Sequence, residues 1–307
     1  MRKSMTRRLL VGAFSLFALA ACGGGDSSSG DGATSIDSAA PSSDPMPAAE
    51  IPQRIVSLSP THTEMLFALD AAEQVVAVDS LSNYPPEAAA VLTDLSAFEP
   101  NVEAIAEYEP DLVIIADDSM GIKAQLEAID IPVWIGLPPA SLDDVYAQID
   151  ELAAAIGRTE KAKAVVGLMR SAVETILGQA PMLDEPLSYY HELDDTYYSV
   201  TSNTFVGSLY ELFGLRNIAD ASEGTSDYPQ LSAEFIVSQN PDLVFLADTK
   251  CCGVTPEAVA ARPGWEGLSA VLNGNVIAMD DDLASRWGPR IVEYLYAIGE
   301  AIAGAVG

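Results

Sequence analysis

The sequence predicts an α/β fold of two similar lobes, each built on a parallel sheet, joined by one long helix and separated by a cleft. Three observations carry this. Residues 101–117 recur at 232–248, 131 positions further on and without a gap. Each copy opens on a good helix N-cap (Asn101, Ser232), reaches a proline that cannot continue the helix, and enters an apolar strand through Pro-Asp-Leu-Val. Short β-rich runs alternate with helical segments in both halves, the pattern of a parallel sheet covered on both faces. Between the halves, a helical run opens at Thr159, after the break at Gly157. It reaches about residue 177, roughly 28 Å at 1.5 Å per residue, enough to cross from one lobe to the other as a stiff bridge.

Taken in order, the chain begins with Arg2, Lys3, Arg7 and Arg8, an apolar run over 9–21, and Cys22. This reads as a secretion signal over 1–21, too short and wrongly flanked for a membrane span. Its end, Leu-Ala-Ala-Cys, resembles the lipobox of bacterial lipoproteins, which makes Cys22 the expected lipidation site and the first residue of the mature chain. Residues 22–50 are rich in Gly, Ser, Ala, Pro and Asp and cannot bury apolar surface, so they predict a flexible tether. The N-terminal lobe is expected over 51–157, with strands near 54–58, 75–78, 111–116 and 132–137 and helices near 61–69 and 142–156. The bridging helix takes 158–180. The C-terminal lobe, 181–307, repeats the plan with strands near 187–193, 242–247 and 276–279, a helix over 205–213 and a closing helix near 288–303.

The whole chain carries 15 basic and 45 acidic residues, a formal charge of −30. With the leader's four cations gone, 11 basic residues face 45 acidic ones. Nucleic acid is excluded as a partner by this surface, which reads as a solvated acidic exterior. Ligands of open parallel sheets sit beyond the carboxyl ends of the strands. The loops 59–63, 80–85, 117–120, 197–203, 248–253 and 280–287 are therefore the ones to examine.

Several stretches carry a resemblance: Arg-Ile-Val-Ser-Leu-Ser-Pro-Thr-His-Thr-Glu at 54–64, Ser-Asn-Tyr-Pro-Pro-Glu-Ala at 82–88, the Pro-Asp-Leu-Val strands, Tyr-Pro-Gln-Leu-Ser-Ala-Glu at 228–234 and Arg-Trp-Gly-Pro-Arg-Ile at 286–291. Together, over about residues 52–304, they resemble the substrate-binding proteins of metal-chelate ABC importers. The vitamin B12-binding proteins are nearest, with ferric siderophore and haem binders close behind. The resemblance implies the class III periplasmic-binding-protein architecture. It implies a permease dimer with a cytoplasmic ATPase as partner, attachment to the outer side of the cell membrane through the lipid alone, and no cofactor beyond the chelate carried. By position it implies that Tyr84, Phe98, Tyr198 and Tyr228 line the cleft, since ring faces offer much contact to a flat macrocycle for little lost freedom. It implies that Asp282 and Arg286 form a polar pair at the cleft edge beside Trp287, although Arg286 has nearby acids at 280–282 to pair with. Glu103 and Glu234, matched across the repeat, gain from the helix dipole in any case. The resemblance adds a second role, docking onto arginines of the two permease subunits.

Cys251 and Cys252 depart from that pattern. Outside the cytoplasm, adjacent thiols are a candidate vicinal disulfide; a passive turn or soft-metal thiolates are the alternatives. Of the two histidines, His62 is a weak candidate as an axial metal ligand and His191, inside a strand, reads as a core residue. An enzyme on the same scaffold is the competing class, with a signalling lipoprotein as a third. The sequence contains no Gly-x-Ser-x-Gly elbow, His-Glu-x-x-His or phosphate loop.

Overall fold

The computed structural model describes residues 50–307. The leader, most of the tether and Cys22 lie outside them. From the first strand onward the order is β1 (Ile55–Leu58), α1 (Pro60–Ala68), β2 (Val75–Val78), α2 (Val102–Ala106), β3 (Leu112–Ile115), α3 (Ile122–Glu127), β4 (Val133–Ile135), α4 (Leu142–Ala155) and the bridging α5 (Thr159–Gln179). The second half runs β5 (Ser188–Glu192), α6 (Phe205–Glu211), β6 (Arg216–Asn217), α7 (Ala233–Gln239), β7 (Leu243–Leu246), α8 (Pro256–Ala260), α9 (Ser269–Leu272), β8 (Val276–Ala278), α10 (Asp281–Ala284) and α11 (Ile291–Val306).

All pairings are parallel, in two four-stranded sheets of matching order, β2-β1-β3-β4 and β6-β5-β7-β8. The repeated segment thus supplies an inner strand of each. Its sequence explains this locally. Asn101 and Ser232 cap their helices by accepting from the amides of Ala104 and Phe235. Glu109 and Asn240, immediately before the prolines, both turn the chain at φ 46°. The aspartate of Pro-Asp-Leu-Val then clasps the neighbouring strand: Asp111 accepts from the amides of Gln53 and Arg54, and Asp242 from the amide and hydroxyl of Ser188.

Strand residues alternate between two faces. Leu112 and Ile114 of β3 join a core that also contains Leu243 and Phe245 of β7 together with residues of α1, α4, α5, α6 and α11. Val113 and Ile115 face a second core confined to the first lobe, and Val244 and Leu246 a third confined to the other. One hydrophobic layer therefore runs through both lobes, with α5 packed on α4 of one and α11 of the other. Relative rotation of the lobes would open this shared layer, which makes the bridge stiff.

Sequence expectation and structure differ in places. The helix of the first repeat, α2, has five residues and stops well short of Pro110, whereas its counterpart α7 has seven. The short β6, α8, α9 and α10 lack the length that would give them periodicity. The closing helix begins at Ile291, past the Gly288-Pro289 turn.

Candidate functional site

Loops at the carboxyl ends of the two sheets approach each other along one side, and the chain from α10 to the start of α11 makes the join. Arg286, buried at 8 % exposure, donates through Nη1 to Glu64 Oε1 of α1 and to Asn83 Oδ1, both at 2.9 Å. Its Nη2 donates to the Leu81 carbonyl at 3.2 Å and to Asp282 at 2.7 Å. Arg290 adds two bonds to the same Glu64 carboxylate, at 3.0 and 2.5 Å, and stacks 3.8 Å from the centre of the Tyr84 ring. Asn83 also donates to Asp282 at 3.2 Å. Trp287 donates its indole N–H to Gln148 Oε1 of α4 at 2.7 Å. The buried Glu64 thus holds two guanidinium groups from the other lobe in a charge-assisted cluster.

This alters the expected part played by the polar trio. Asp282 and Arg286 are paired, as their i,i+4 spacing allows. Both terminal nitrogens of Arg286, however, are occupied by protein acceptors, and Trp287 is half-buried with its N–H bound internally. In this structure these two residues hold the lobes together at the cleft edge rather than presenting free donors to it.

His62 is corrected outright. It is fully buried, its Nε2 donates to Gln148 Oε1 at 2.9 Å, and Nδ1 accepts from the Ser59 hydroxyl at 2.7 Å. Gln148 Oε1 also accepts from Trp287, which fixes that tautomer. Burial drives its pKa down to about 4. A neutral ring with both nitrogens engaged cannot reach a metal in the cleft. Gly136 completes the fit, because any Cβ there would strike the imidazole.

The four aromatic candidates behave differently. Tyr84, Phe98, Tyr198 and Tyr228 are 37, 73, 40 and 56 % exposed, four of the five large aromatic side chains open to solvent among the described residues. Tyr84 follows β2 and Phe98 precedes α2 in one lobe; Tyr198 follows β5 and Tyr228 precedes α7 in the other. Phe98 and Tyr228 thus precede the matched helices α2 and α7, whereas Tyr84 and Tyr198 follow strands that are not counterparts. A hollow of about 460 Å³ lies beside Tyr84, walled by Phe67, Pro85, Pro289, Arg290 and Glu293. A polar one of about 300 Å³ lies near Asn203 and Asp227 in the second lobe. Glu103 and Glu234 are exposed at the second position of α2 and α7. Cys251 and Cys252 are exposed free thiols in the loop after β7, with no bond between them. His191 is buried in β5, Nδ1 on the Tyr210 hydroxyl at 2.9 Å. No group of three His, Cys, Asp or Glu among the described residues is placed to hold a metal, and no helix among them is long and apolar enough to cross a membrane.

A sequence profile of the family described as periplasmic binding protein matches residues 55–283. The chain belongs to that family. It is 32 % identical over 259 residues to the ABC transporter substrate-binding lipoprotein YvrC of Bacillus subtilis, covering 82 % of this chain and 80 % of that protein. It is 31 % identical over 257 residues to a cobalamin-binding protein of Halobacterium salinarum, covering 81 % and 69 %. Among solved structures, the periplasmic haem-binding protein RhuT of Roseiflexus sp. RS-1, in its apo form, superposes with a TM-score of 0.73 at 28 % identity, covering 82 % of this chain and 99 % of the other. The two-lobed α/β fold is that of periplasmic binding proteins, whose work is solute capture for transport rather than catalysis.

Sequence reasoning missed Glu64, Asn83, Gln148 and Arg290 as parts of the join. Glu64 reads as one more acid on a helix, and its partners lie more than 220 positions away. The visible signal was the pair of arginines flanking Trp-Gly-Pro at 287–289, two cations on one tight turn that need an acceptor in common.

Proposed function

We propose that this chain is the lipid-anchored substrate-binding component of an ABC importer, which captures a corrinoid or closely related metal chelate between its lobes and delivers it unaltered to the permease. The observation that carries this reading is the placing of exposed aromatic rings on loops of both lobes, Phe98 and Tyr228 before the matched helices α2 and α7 and Tyr84 and Tyr198 after β2 and β5, where a flat macrocycle could be gripped from both sides. The shared core supports small adjustments around a preformed cleft rather than wide closure. Attachment at Cys22 puts the domain outside the membrane on its tether, and Glu103 and Glu234 give the receptor two equivalent acidic contacts for a two-subunit permease. Haem or a ferric siderophore is the alternative cargo, since rings serve any flat chelate.

Incubating the full chain with cobalamin, ferric siderophores and haem, and asking which gives a coloured, stoichiometric complex after gel filtration, tests the reading; no retained chromophore sinks it. Tyr84→Ala and Tyr228→Ala are each expected to weaken that complex about tenfold, about 1.4 kcal/mol, with little change in Tm. A large loss of Tm would make them core residues instead. Charge reversal at Glu103 and Glu234 together is expected to abolish cellular uptake with chelate binding unchanged, and normal uptake would falsify the docking role.

A further inference from the structure

The transport reading leaves Cys251 and Cys252 without a part. They are the only cysteines among the described residues, both exposed, in the loop that follows β7 at the cleft end of its lobe. The Cys252 thiol lies against that of Cys251 and, with burial and Asp281 close by, pushes the Cys251 thiol up to about 12.

The backbone around them is fastened to one carboxylate. The amides of Thr249, Lys250 and Cys251 all donate to Asp281, at 2.9, 2.8 and 2.8 Å, and the Thr249 hydroxyl adds a bond at 2.8 Å. Lys250 Nζ reaches Asp280 at 2.6 Å and Asp282 at 3.1 Å. Asp282 in turn holds Arg286 and Asn83, and Arg286 holds Glu64. The Cys251 amide is therefore linked to the other lobe through Asp281, the neighbouring Lys250, whose amide shares Asp281 and whose side chain reaches Asp282, and Arg286.

We propose that Cys251 and Cys252 form a reversible thiol–disulfide site whose closure loosens the Asp281 clamp and, through Asp282, the tie between the lobes. The proposal rests on the extracytoplasmic placement above for its oxidant, the disulfide of a thiol–disulfide oxidoreductase or a small-molecule disulfide. One thiolate attacks that disulfide, the second displaces the mixed intermediate, an S–S bond forms within the pair, and the oxidant leaves as two thiols carrying both protons. The ring so made contains the 251–252 peptide. Disulfides prefer Cα atoms about 4.4–6.8 Å apart, whereas neighbours across a trans peptide are fixed about 3.8 Å apart, so the closed ring is strained. Closure turns the 251–252 peptide, whose Cys252 N–H now donates to the Asp248 carbonyl at 3.3 Å, and shifts Cys251, whose own N–H donates to Asp281 at 2.8 Å. The same strain keeps the bond easily reduced.

The test treats the full chain, free of chelate, with oxidised glutathione and follows intact mass, maleimide labelling and amide hydrogen exchange. Expected are a monomer lighter by two hydrogens, both thiols protected, and exchange over 280–287 and 81–84 faster by about tenfold, all reversed by dithiothreitol. Cys251→Ser should show none of these, and Asp281→Asn should show the faster exchange while still reduced. Intermolecular dimers alone, thiols that stay free, or a closed bond with unchanged exchange in both segments would each overturn the proposal. Because no chelate is present, the outcome is independent of whether cobalamin binds.

Discussion

The two lobes share a backbone plan and part company in their electrostatics at one corner. In the sheets, Ile55 stands opposite Leu112 and Tyr189 opposite Leu243, the same position of the repeat. Counting along the strands puts His191 where the first lobe has Ser57, and Glu192 where it has Leu58. Leu58 is apolar and buried; Glu192 is equally buried and is held by both terminal nitrogens of Arg262, at 2.6 and 2.7 Å. Arg262 lies 4.8 Å from the centre of the Trp265 ring and 5.3 Å from that of Tyr197. One step further, Asp117 of the first lobe is exposed and accepts from the Ser119 amide at 2.8 Å, and the Ser119 side chain and amide together keep its pKa below the usual range. Its counterpart Asp248 is fully buried, neither oxygen meets a protein donor, and burial with the Glu192 charge raises it to about 7. The comparison teaches that duplication preserves what the backbone needs, caps, prolines and clasping aspartates, and leaves the strand ends free to acquire different chemistry.

The sharpest break of this comparison is Arg262→Ala. It would leave Glu192 buried beside Asp248 with no counter-charge, and loss of one partner of a buried pair costs about 3–5 kcal/mol. Urea unfolding should show that loss. In the first lobe, Arg54 binds only the carbonyls of Tyr108 and Glu109 at an exposed edge, and Arg54→Ala should cost about 1 kcal/mol or less. Equal losses at the two sites would mean that the buried corner is not specialised. Next in size is Glu64→Gln, expected to cost about 2 kcal/mol because an amide keeps an acceptor for Arg286 and Arg290 but not the charge. Its diagnostic sign is faster hydrogen exchange in both lobes' cleft loops; an effect confined to α1 would show that the cluster does not couple them.

Much of the architecture was legible because the signals that set it are local. Asn101 and Ser232 cap, Pro110 and Pro241 stop, and the unbroken apolar runs at 112–115 and 243–246 need two covered faces, all of which a single sequence displays. The rings at Tyr84, Phe98, Tyr198 and Tyr228 were legible only through their positions in the family resemblance; their exposure was not. Glu64, Arg290 and Arg262 were not, because a buried ion pair is a property of distant segments meeting and leaves no periodicity. His62 misled for the related reason that a histidine at a helix start gives no sign that Gln148 and Ser59 will close over it. The shared core was hidden too, since the pattern of a strand says that both faces are covered without saying by which lobe.

The gentlest test concerns pH. Asp248 has a folded pKa of about 7 against an ordinary value of about 3.9, so between those limits the native state keeps a proton that the unfolded chain has lost. Its contribution is therefore fully present below about pH 4, declines as pH rises, and is gone above 7. Asp248→Asn removes the decline. The variant should match the parent near pH 4 and exceed it at pH 8 by on the order of 1 kcal/mol, a fraction of the full shift because solvent relaxes beneath the exposed Cys251 loop. The two buried histidines, both near 4, act in the opposite sense by losing stability as pH falls from about 6.5, but they are common to variant and parent and cancel in the difference. Asp117→Asn supplies the control from the other lobe. Its carboxylate is favoured in the folded state by Ser119, so the amide should bring no gain at pH 8. Parallel stability curves for parent and Asp248→Asn from pH 4 to 8 would mean that Asp248 ionises as freely as Asp117, and the lobes would then differ in burial without differing in protonation.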